Sequence, residues 1–436
     1  MINKIFIYLL LSMPLHTFAE EIDLIRYDDE AIKMSNVDYI DLIRTAVIDQ
    51  PDFKELLSRK TTYDFEFKSE RAERFPTIKS SIRNDRIIDR KIDDFSSIRK
   101  RQDDSTDIIV ELSQPLYSGG IINKRIDNAR KQKIIGNLEL KKQASELVIR
   151  ANQIYLDLIR YTIYYNYLEK SIREIQEILK NVETRIQAGF ANVTEKALVQ
   201  IRLNELLILR TSVEAQLIRS KETFARFFNK EFEKISIPEL KVDNLDTNNF
   251  SNDKSYDLLI SEISYEQEKN NLSIVRGEYL PKIGLNFRYI QYDFDEDFDE
   301  NDIRGGLTFS VPIFDFGRLG NKVKASRARV NEYKWAVQAN ERDYIIGKSE
   351  IQNRLFSTLK SVGEIKNTID NTRQQKDILI SRMGLSEFNG VNLSEIILQD
   401  VSNADQLLQT ELQLYFDDLK LSHINGSLLN RFRLDV

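Results

Sequence analysis

Two glutamates occupy matching places in this chain. Glu195 closes Asn192-Val193-Thr194-Glu195 and Glu395 closes Asn392-Leu393-Ser394-Glu395, each just after a glycine-containing stretch. An acid in the first turn of a helix meets the positive end of the helix dipole, so solvated helix N-termini account for both. A denser acidic run, Asp293-Phe294-Asp295-Glu296-Asp297-Phe298-Asp299-Glu300, lacks the glycine and ligand spacing of an EF-hand loop. It reads as a solvated surface loop over about 293–302, with a divalent-cation site as the alternative. Other reactive chemistry is sparse. The chain has no Cys, which removes disulfides, thiol nucleophiles and Cys-based metal sites. Of its 2 His, His16 lies in an apolar N-terminal segment and His423 stands alone near the last helix. Carboxylates abound, but long amphipathic helices need exposed acids for solubility. The residues therefore predict a non-enzyme with no catalytic site, no cofactor and no metal.

The elements that carry the two glutamates belong to a duplicated unit. Leu112-Ser113-Gln114-Pro115-Leu116-Tyr117-Ser118-Gly119-Gly120 returns as Phe309-Ser310-Val311-Pro312-Ile313-Phe314-Asp315-Phe316-Gly317. Ser113 and Ser310, Pro115 and Pro312, Gly120 and Gly317, and Arg130 and Arg327 share one offset. Upstream, Arg71-Ala72-Glu73-Arg74-Phe75-Pro76-Thr77-Ile78 matches Arg276-Gly277-Glu278-Tyr279-Leu280-Pro281-Lys282-Ile283. Self-similarity at a period of about 200 residues marks one unit used twice. Each half reads helix, strand, strand, long helix, turn, helix. The proline ends the strand for want of an N–H, and the glycine lets the backbone turn before the helix starts. Repeat 1 covers about 38–234, with a hairpin at about 76–114 and coiled-coil helices over about 121–228. A linker at about 235–254 leads to repeat 2 at about 255–425, with its hairpin at about 281–312 and helices over about 319–421.

Only 7 Pro and 15 Gly punctuate 436 residues, so the elements must be long. A net charge of -6 offers no basic field for nucleic acid. Lys4 precedes an apolar run from Ile5 to Met13, and Thr17-Phe18-Ala19 places a small residue before Glu20-Glu21. That is the layout of a secretory signal peptide, residues 1–19, cut after Ala19; a short hydrophobic N-terminal helix is the alternative. No later stretch reaches the roughly 18 uninterrupted apolar residues of a membrane helix. An exported chain of this kind is soluble or is held in a membrane by strands.

The strand patterns favour the second case. Ile78 and Ile82 alternate with Lys79, Ser81 and Arg83, and Ile108, Val110 and Leu112 alternate with Asp107, Glu111 and Ser113, apart from Ile109. In the second half Ile283, Leu285, Phe287 and Tyr289 alternate with Lys282, Asn286 and Arg288, and Arg304 to Val311 closes the hairpin. One apolar and one charged face suit a wall between lipid and water. The charged connection from about Arg86 to Asp104 reads as a mobile loop. Four strands of roughly 8 to 10 residues are long enough to span a bilayer, yet the smallest closed barrels need about eight strands. An open edge in lipid leaves backbone groups unsatisfied, so several chains must share one barrel if these strands span a membrane.

After the first exit, Leu140, Ala144, Leu147, Ala151, Ile154, Leu158, Tyr161, Tyr165, Leu168, Ile172, Ile175, Leu179, Val182 and Ile186 recur in steps of three and four, the coiled-coil repeat. At about 1.5 Å per residue this helix would extend roughly 100 Å. It reads as a rod or as a stave in a tube, with an ordinary dimeric coiled coil as the alternative. Gly189 ends it and Thr194 can cap the return helix. The matching tip lies around Asn389-Gly390-Val391-Asn392. The second half is less regular, since Asn340, Gly347 and Arg354 fall near its seam.

These landmarks, with Gln50-Pro51, Phe75-Pro76, Leu280-Pro281, the two proline and glycine strand exits and the tip from Ala188-Gly189 to Glu195, resemble the TolC family of outer-membrane efflux and secretion channels. The resemblance implies a mainly α fold with a transmembrane β-hairpin pair, a TolC-like trimeric α-barrel continued by a shared 12-stranded β-barrel. It implies a homotrimer in outer-membrane lipid with a long periplasmic extension. Its helical tips would meet a periplasmic adaptor (membrane fusion) protein and an inner-membrane pump, ABC or proton-driven. The chain would be the passive exit duct of a tripartite efflux pump or type I secretion system, for drugs, small molecules or exported proteins. Glu195 and Glu395 match the family's tip aspartates, and three copies around an axis would focus negative potential and favour cations. The family's second constricting acid falls at Leu398 or Gln399, with Asp400 as the substitute in another register. Val391 and Asn392 replace the family arginine after the second tip glycine. Adaptor docking would fall on Gly189, Phe190, Thr194, Gly390, Val391 and Asn392. The rival reading is an exported trimeric coiled-coil structural protein or adhesin without a channel. It accounts for heptads and export, but not for two hairpins in a full internal repeat.

Overall fold

The computed structural model describes residues 20–22, 32–86, 88, 104–232, 236–242, 254–292, 294, 300–383 and 388–435. The expected signal peptide, most of the 86–104 connection and most of the acidic run lie outside the described residues.

The chain begins with β1 (Glu20–Ile22), β2 (Ile32–Met34), α1 (Asn36–Asp49) and α2 (Pro51–Ala72). The first hairpin, β3 (Thr77–Arg86) and β4 (Asp104–Ser118), leads into α3 (Ile121–Gln187) and α4 (Val193–Phe228). Two short strands, β5 (Ser236–Pro238) and β6 (Leu240–Val242), separate the halves. The second half runs α5 (Tyr256–Gly277), β7 (Lys282–Gln291), β8 (Asn301–Ser310), α6 (Arg318–Ser381) and α7 (Gly390–Ile424), and α8 (Leu428–Arg431) follows. The expected order of elements is therefore present twice. Two compact units result, one drawn from Met1–Leu56, Leu140–Tyr256 and Arg342–Val436, the other from Leu57–Glu139 and Asp257–Glu341.

The first unit is built on helical faces. Leu140, Ala144, Leu147, Ala151, Leu158, Leu168, Ile172, Ile175 and Val182 of the predicted seam are buried. Burial also takes in Val148, Tyr155, Leu156, Ile159 and Ile163, a face too wide for a two-helix coiled coil. The neighbours that cover it include Val199, Leu203, Leu206, Val213 and Leu217 of α4 and Ile397, Val401, Leu408 and Leu412 of α7. Emptying one such site, as in Leu158→Ala, costs about 2–5 kcal/mol. Pro51 is the first residue of α2, where its missing N–H is not needed. At the break before it, the Gln50 amide donates to the carbonyls of Ala46 (2.9 Å) and Phe227 (2.8 Å).

Part of the expected 235–254 linker is structured. β5 pairs with β2 in parallel and β6 pairs with β1 antiparallel, burying Ile237, Leu240 and Val242. Three-residue strands are too short to show a period in the sequence.

The second unit holds one antiparallel sheet in the order β3-β4-β7-β8. The hairpins share one register. Thr77 faces Ser113 as Lys282 faces Ser310, and Arg86 faces Asp104 as Gln291 faces Asn301. The proline expectation needs a correction in the first half. β8 stops at Ser310, before Pro312, but β4 runs through Pro115 to Ser118, with the register shifting between Pro115 and Tyr117. β4 has a neighbour on each edge, and β7 keeps the residues beyond the proline extended around a bulge at Leu116. Gly119 and Gly120 then turn the chain with φ of 66° and 78°, as Gly317 does with 81°.

Candidate functional site

The sheet separates its side chains by chemistry. Ile78 and Ile82 of β3, Ile108, Val110 and Leu112 of β4, Leu285, Phe287 and Tyr289 of β7, and Ile303, Leu307 and Phe309 of β8 are cross-strand partners or share their parity, so they lie on one face. Lys79, Arg83, Asp107, Glu111, Asn286, Arg288, Arg304 and Thr308 line the other, where Arg288 pairs with Glu111, and this charged face also holds the opposed and buried pair Ile109 and Ile290. The Phe287 ring covers Gly305 across the strands; a Cβ at Gly305 would lie 2.6 Å from its edge. Among the described residues β3 and β8 each have one strand neighbour, and Ile78, Ile82, Ile303, Leu307 and Phe309 are exposed. No described helix is long and apolar enough to cross a membrane.

The helical tips bring several of the predicted residues together. α3 ends before Gly189 (φ 78°), and the Gly189 and Phe190 amides close the last turn on the carbonyls of Ile186 (3.0 Å) and Arg185 (2.8 Å). Asn192, not Thr194, caps α4: its side chain accepts from the Glu195 N–H at 2.8 Å. Thr194 lies within the first turn of α4 and is exposed. Asparagine is the stronger cap and lies three residues before the donor. In the second half Asn389 is the cap, accepting from Val391 (3.0 Å) and Asn392 (3.2 Å), so Gly390, Val391 and Asn392 already belong to α7.

Glu195 reaches across to that second tip. Its Oε1 accepts from the Gly390 N–H at 2.8 Å, a carboxylate set against the N-terminus of α7. Gly390 is buried, and a Cβ there would sit 2.6 Å from Val182 Cγ2. The Arg185 guanidinium lies 5.5 Å from the Phe388 ring centre beside the same junction. Glu395 is exposed in the first turns of α7. Phe190 is 69% exposed.

Asp400 is placed differently. It is 3% exposed and accepts from the Tyr167 hydroxyl at 2.6 Å, with the Lys376 ammonium 3.7 Å away and that ammonium 2.6 Å from Glu174. Burial, and then the negative charge of Asp400, push the Tyr167 phenol well above its usual range.

Further buried acids of α7 meet cations of α6. Arg354 forks onto both Asp417 oxygens at 2.9 Å, and Lys366 lies 3.3 Å from Glu411. Arg431 holds Asp418 at 2.6 Å. Sequence reasoning met Arg354 only as an irregularity in the seam. The signal that would have found its role is an acid standing in an apolar row of α7, Asp417 three residues after buried Leu414 and four before buried Leu421. His423 Nδ1 lies 2.7 Å from the Ser145 hydroxyl, but Ser145 is fully buried in helix packing and out of reach of a substrate.

No protein-family model matches the sequence, and no curated protein matches it. Solved structures do. The outer membrane protein VceC of Vibrio cholerae is 12% identical, with 89% of this chain and 96% of that one covered at a TM-score of 0.73. For the Campylobacter jejuni CmeC outer membrane channel the values are 14%, 96%, 90% and 0.76. For the open state of the Neisseria gonorrhoeae MtrE outer membrane channel they are 13%, 95%, 95% and 0.69. Over nearly its whole length, this chain has the TolC-like fold of these outer-membrane channels.

Proposed function

We propose that the protein is an outer-membrane exit duct, a passive channel formed by a homotrimer whose four strands per copy complete one shared barrel in the outer membrane. The observation that carries this is the β3-β4-β7-β8 sheet. It has one apolar face, one face that is charged apart from Ile109 and Ile290, and an outer strand on each side with a single neighbour among the described residues. In lipid such edges must be paired, and three copies closing on one another pair all of them.

The wide apolar faces of α3, α4 and α7 support a periplasmic helical barrel that continues the duct. Efflux of small molecules and type I secretion of proteins use the same duct, and both are proposed as its cargo classes. The tips are the proposed docking surface for a periplasmic adaptor serving an inner-membrane pump, through Gly189, Phe190, Thr194, Val391 and Asn392; Gly390, expected among them, is buried beneath this surface with its N–H held by Glu195. Exposed Glu395 is the proposed constriction acid, three copies of which would favour cations. Glu195 and Asp400 are proposed to act chiefly in holding the tip, since both carboxylates are engaged within the protomer.

The test is the native mass of the full chain extracted from cell envelopes in mild detergent. A trimer recovered from the outer-membrane fraction is expected. A monomer recovered without detergent overturns the reading.

A further inference from the structure

The internal repeat supplies a register in which one copy can be matched to the next. Both hairpins have the same register, so residues of β3 correspond to those of β7 and residues of β4 to those of β8 without a gap. Within one chain the two halves join at β4 and β7, where Leu112 faces Phe287, Val110 faces Tyr289 and Gln114 faces Leu285. The counterpart of β4 is β8, and the counterpart of β7 is β3. The join inside the chain is therefore a template for a join between chains.

We propose that a second copy docks its β3 along the open edge of β8 in one register: Phe309 opposite the partner's Ile82, Leu307 opposite the partner's Asn84 and Val311 opposite the partner's Ser80. This rests on the shared-barrel reading and adds the register to it. The pairing continues the apolar face, since Phe309 and Leu307 share it with Ile78 and Ile82. A slip of one residue would turn that face toward the charged side. A slip of two keeps the faces, so only the repeat distinguishes it.

A second observation points the same way. β4 continues past its proline to Ser118 because β7 lies beside it, whereas β8, lacking a second neighbour among the described residues, stops at Ser310. Beyond it Ile313 is 94% exposed and Phe314 76% exposed, in the positions of Leu116 and Tyr117. On docking, residues 311–315 become strand as 114–118 are, with Ile313 as the bulge and Phe314 opposite the partner's Ile78. The join departs from its template at the turn. A Cβ at Gly119 would lie 2.5 Å from the Gly277 carbonyl, and the corresponding residues are Phe316 and the partner's Ala72. The backbones must stand further apart there, with the Phe316 ring between them.

The chain has no Cys, so introduced pairs report only the designed contact. Full-length Ile82→Cys/Phe309→Cys, oxidised in detergent and run without reductant, is expected to give disulfide-linked dimers and trimers. Directly opposed Cα atoms fall in disulfide range and diagonal ones do not, so linkage should be at least about tenfold faster than for the slipped pairs Ser80→Cys/Phe309→Cys and Asn84→Cys/Phe309→Cys. Arg83→Cys/Thr308→Cys tests the same register from the charged face should the first variant fail to assemble. Faster linkage of a slipped pair, or a trimer by native mass that no designed pair links, overturns the register and leaves the shared barrel standing. A wild-type chain that is monomeric by native mass removes both.

Discussion

Glu195 and Gly390, one in each half of the chain, are joined by a 2.8 Å hydrogen bond from the Gly390 N–H to the Glu195 carboxylate. The tip of the first helical hairpin thus closes the N-terminus of the last long helix. Removing the acceptor in Glu195→Ala should cost about 1 kcal/mol locally, roughly fivefold faster amide exchange in the first turn of α7. Glu195→Gln keeps an oxygen in place and should fall between. Exchange unaffected by the alanine would show that the contact does not hold the tip.

Gly390→Ala tests the same junction by volume. Its Cβ meets Val182 Cγ2 at 2.6 Å and Ile178 Cγ2 at 3.2 Å, neither of which is the end of a flexible chain. Overpacking of this kind costs about 1–3 kcal/mol, read as a lower thermal midpoint. The same change at exposed Gly363, with nothing within 4 Å of its Cβ, should not lower the midpoint.

Arg354→Met leaves the fully buried Asp417 without its guanidinium partner. Stranding a buried charge typically costs about 3–5 kcal/mol, but Arg354 is 46% exposed and its share is screened, so about 1–3 kcal/mol is expected. Arg342→Met removes an exposed pair with Asp343 and should stay within about 0.5 kcal/mol. Denaturant midpoints of the two variants make the comparison; equal shifts would contradict it.

Burial raises the phenols of Tyr39, Tyr155, Tyr164 and Tyr167 above the ordinary 10.0. The folded chain holds these protons more tightly than the unfolded one. Their contribution to stability is therefore complete below pH 10.0 and is lost as pH rises above it. Tyrosinate absorbance from these four should appear together with loss of helical circular dichroism. Ionisation of all of them in a fully helical protein would contradict their burial.

Phe190 should matter for partners and not for assembly. Phe190→Ser is expected to leave trimer mass unchanged and to reduce transport in cells; retained transport counts against docking at this tip. Glu395→Gln should lower cation preference without altering assembly, and an unchanged selectivity would remove Glu395 from the constriction.

Much of the arrangement can be read from residue order. Paired prolines and glycines marked the repeat, parity marked the two faces of the sheet, and steps of three and four marked α3. What could not be read depended on neighbours distant in sequence. Pro115 looks like a strand end because the pattern does not reveal that β7 lies beside it. Thr194 looks like a cap until Asn192 is seen holding the Glu195 N–H. Arg354 looks like a flaw in a seam until Asp417 is placed against it. Glu195 was legible as an acid at a helix start, but the helix it caps belongs to the other half of the chain.

The most direct test of the duct is current through the purified trimer in a planar bilayer. Discrete conductance steps are predicted, with cation preference that falls in Glu395→Gln. A trimer that inserts into lipid and passes no current, as a channel-free coiled-coil adhesin would, contradicts the account.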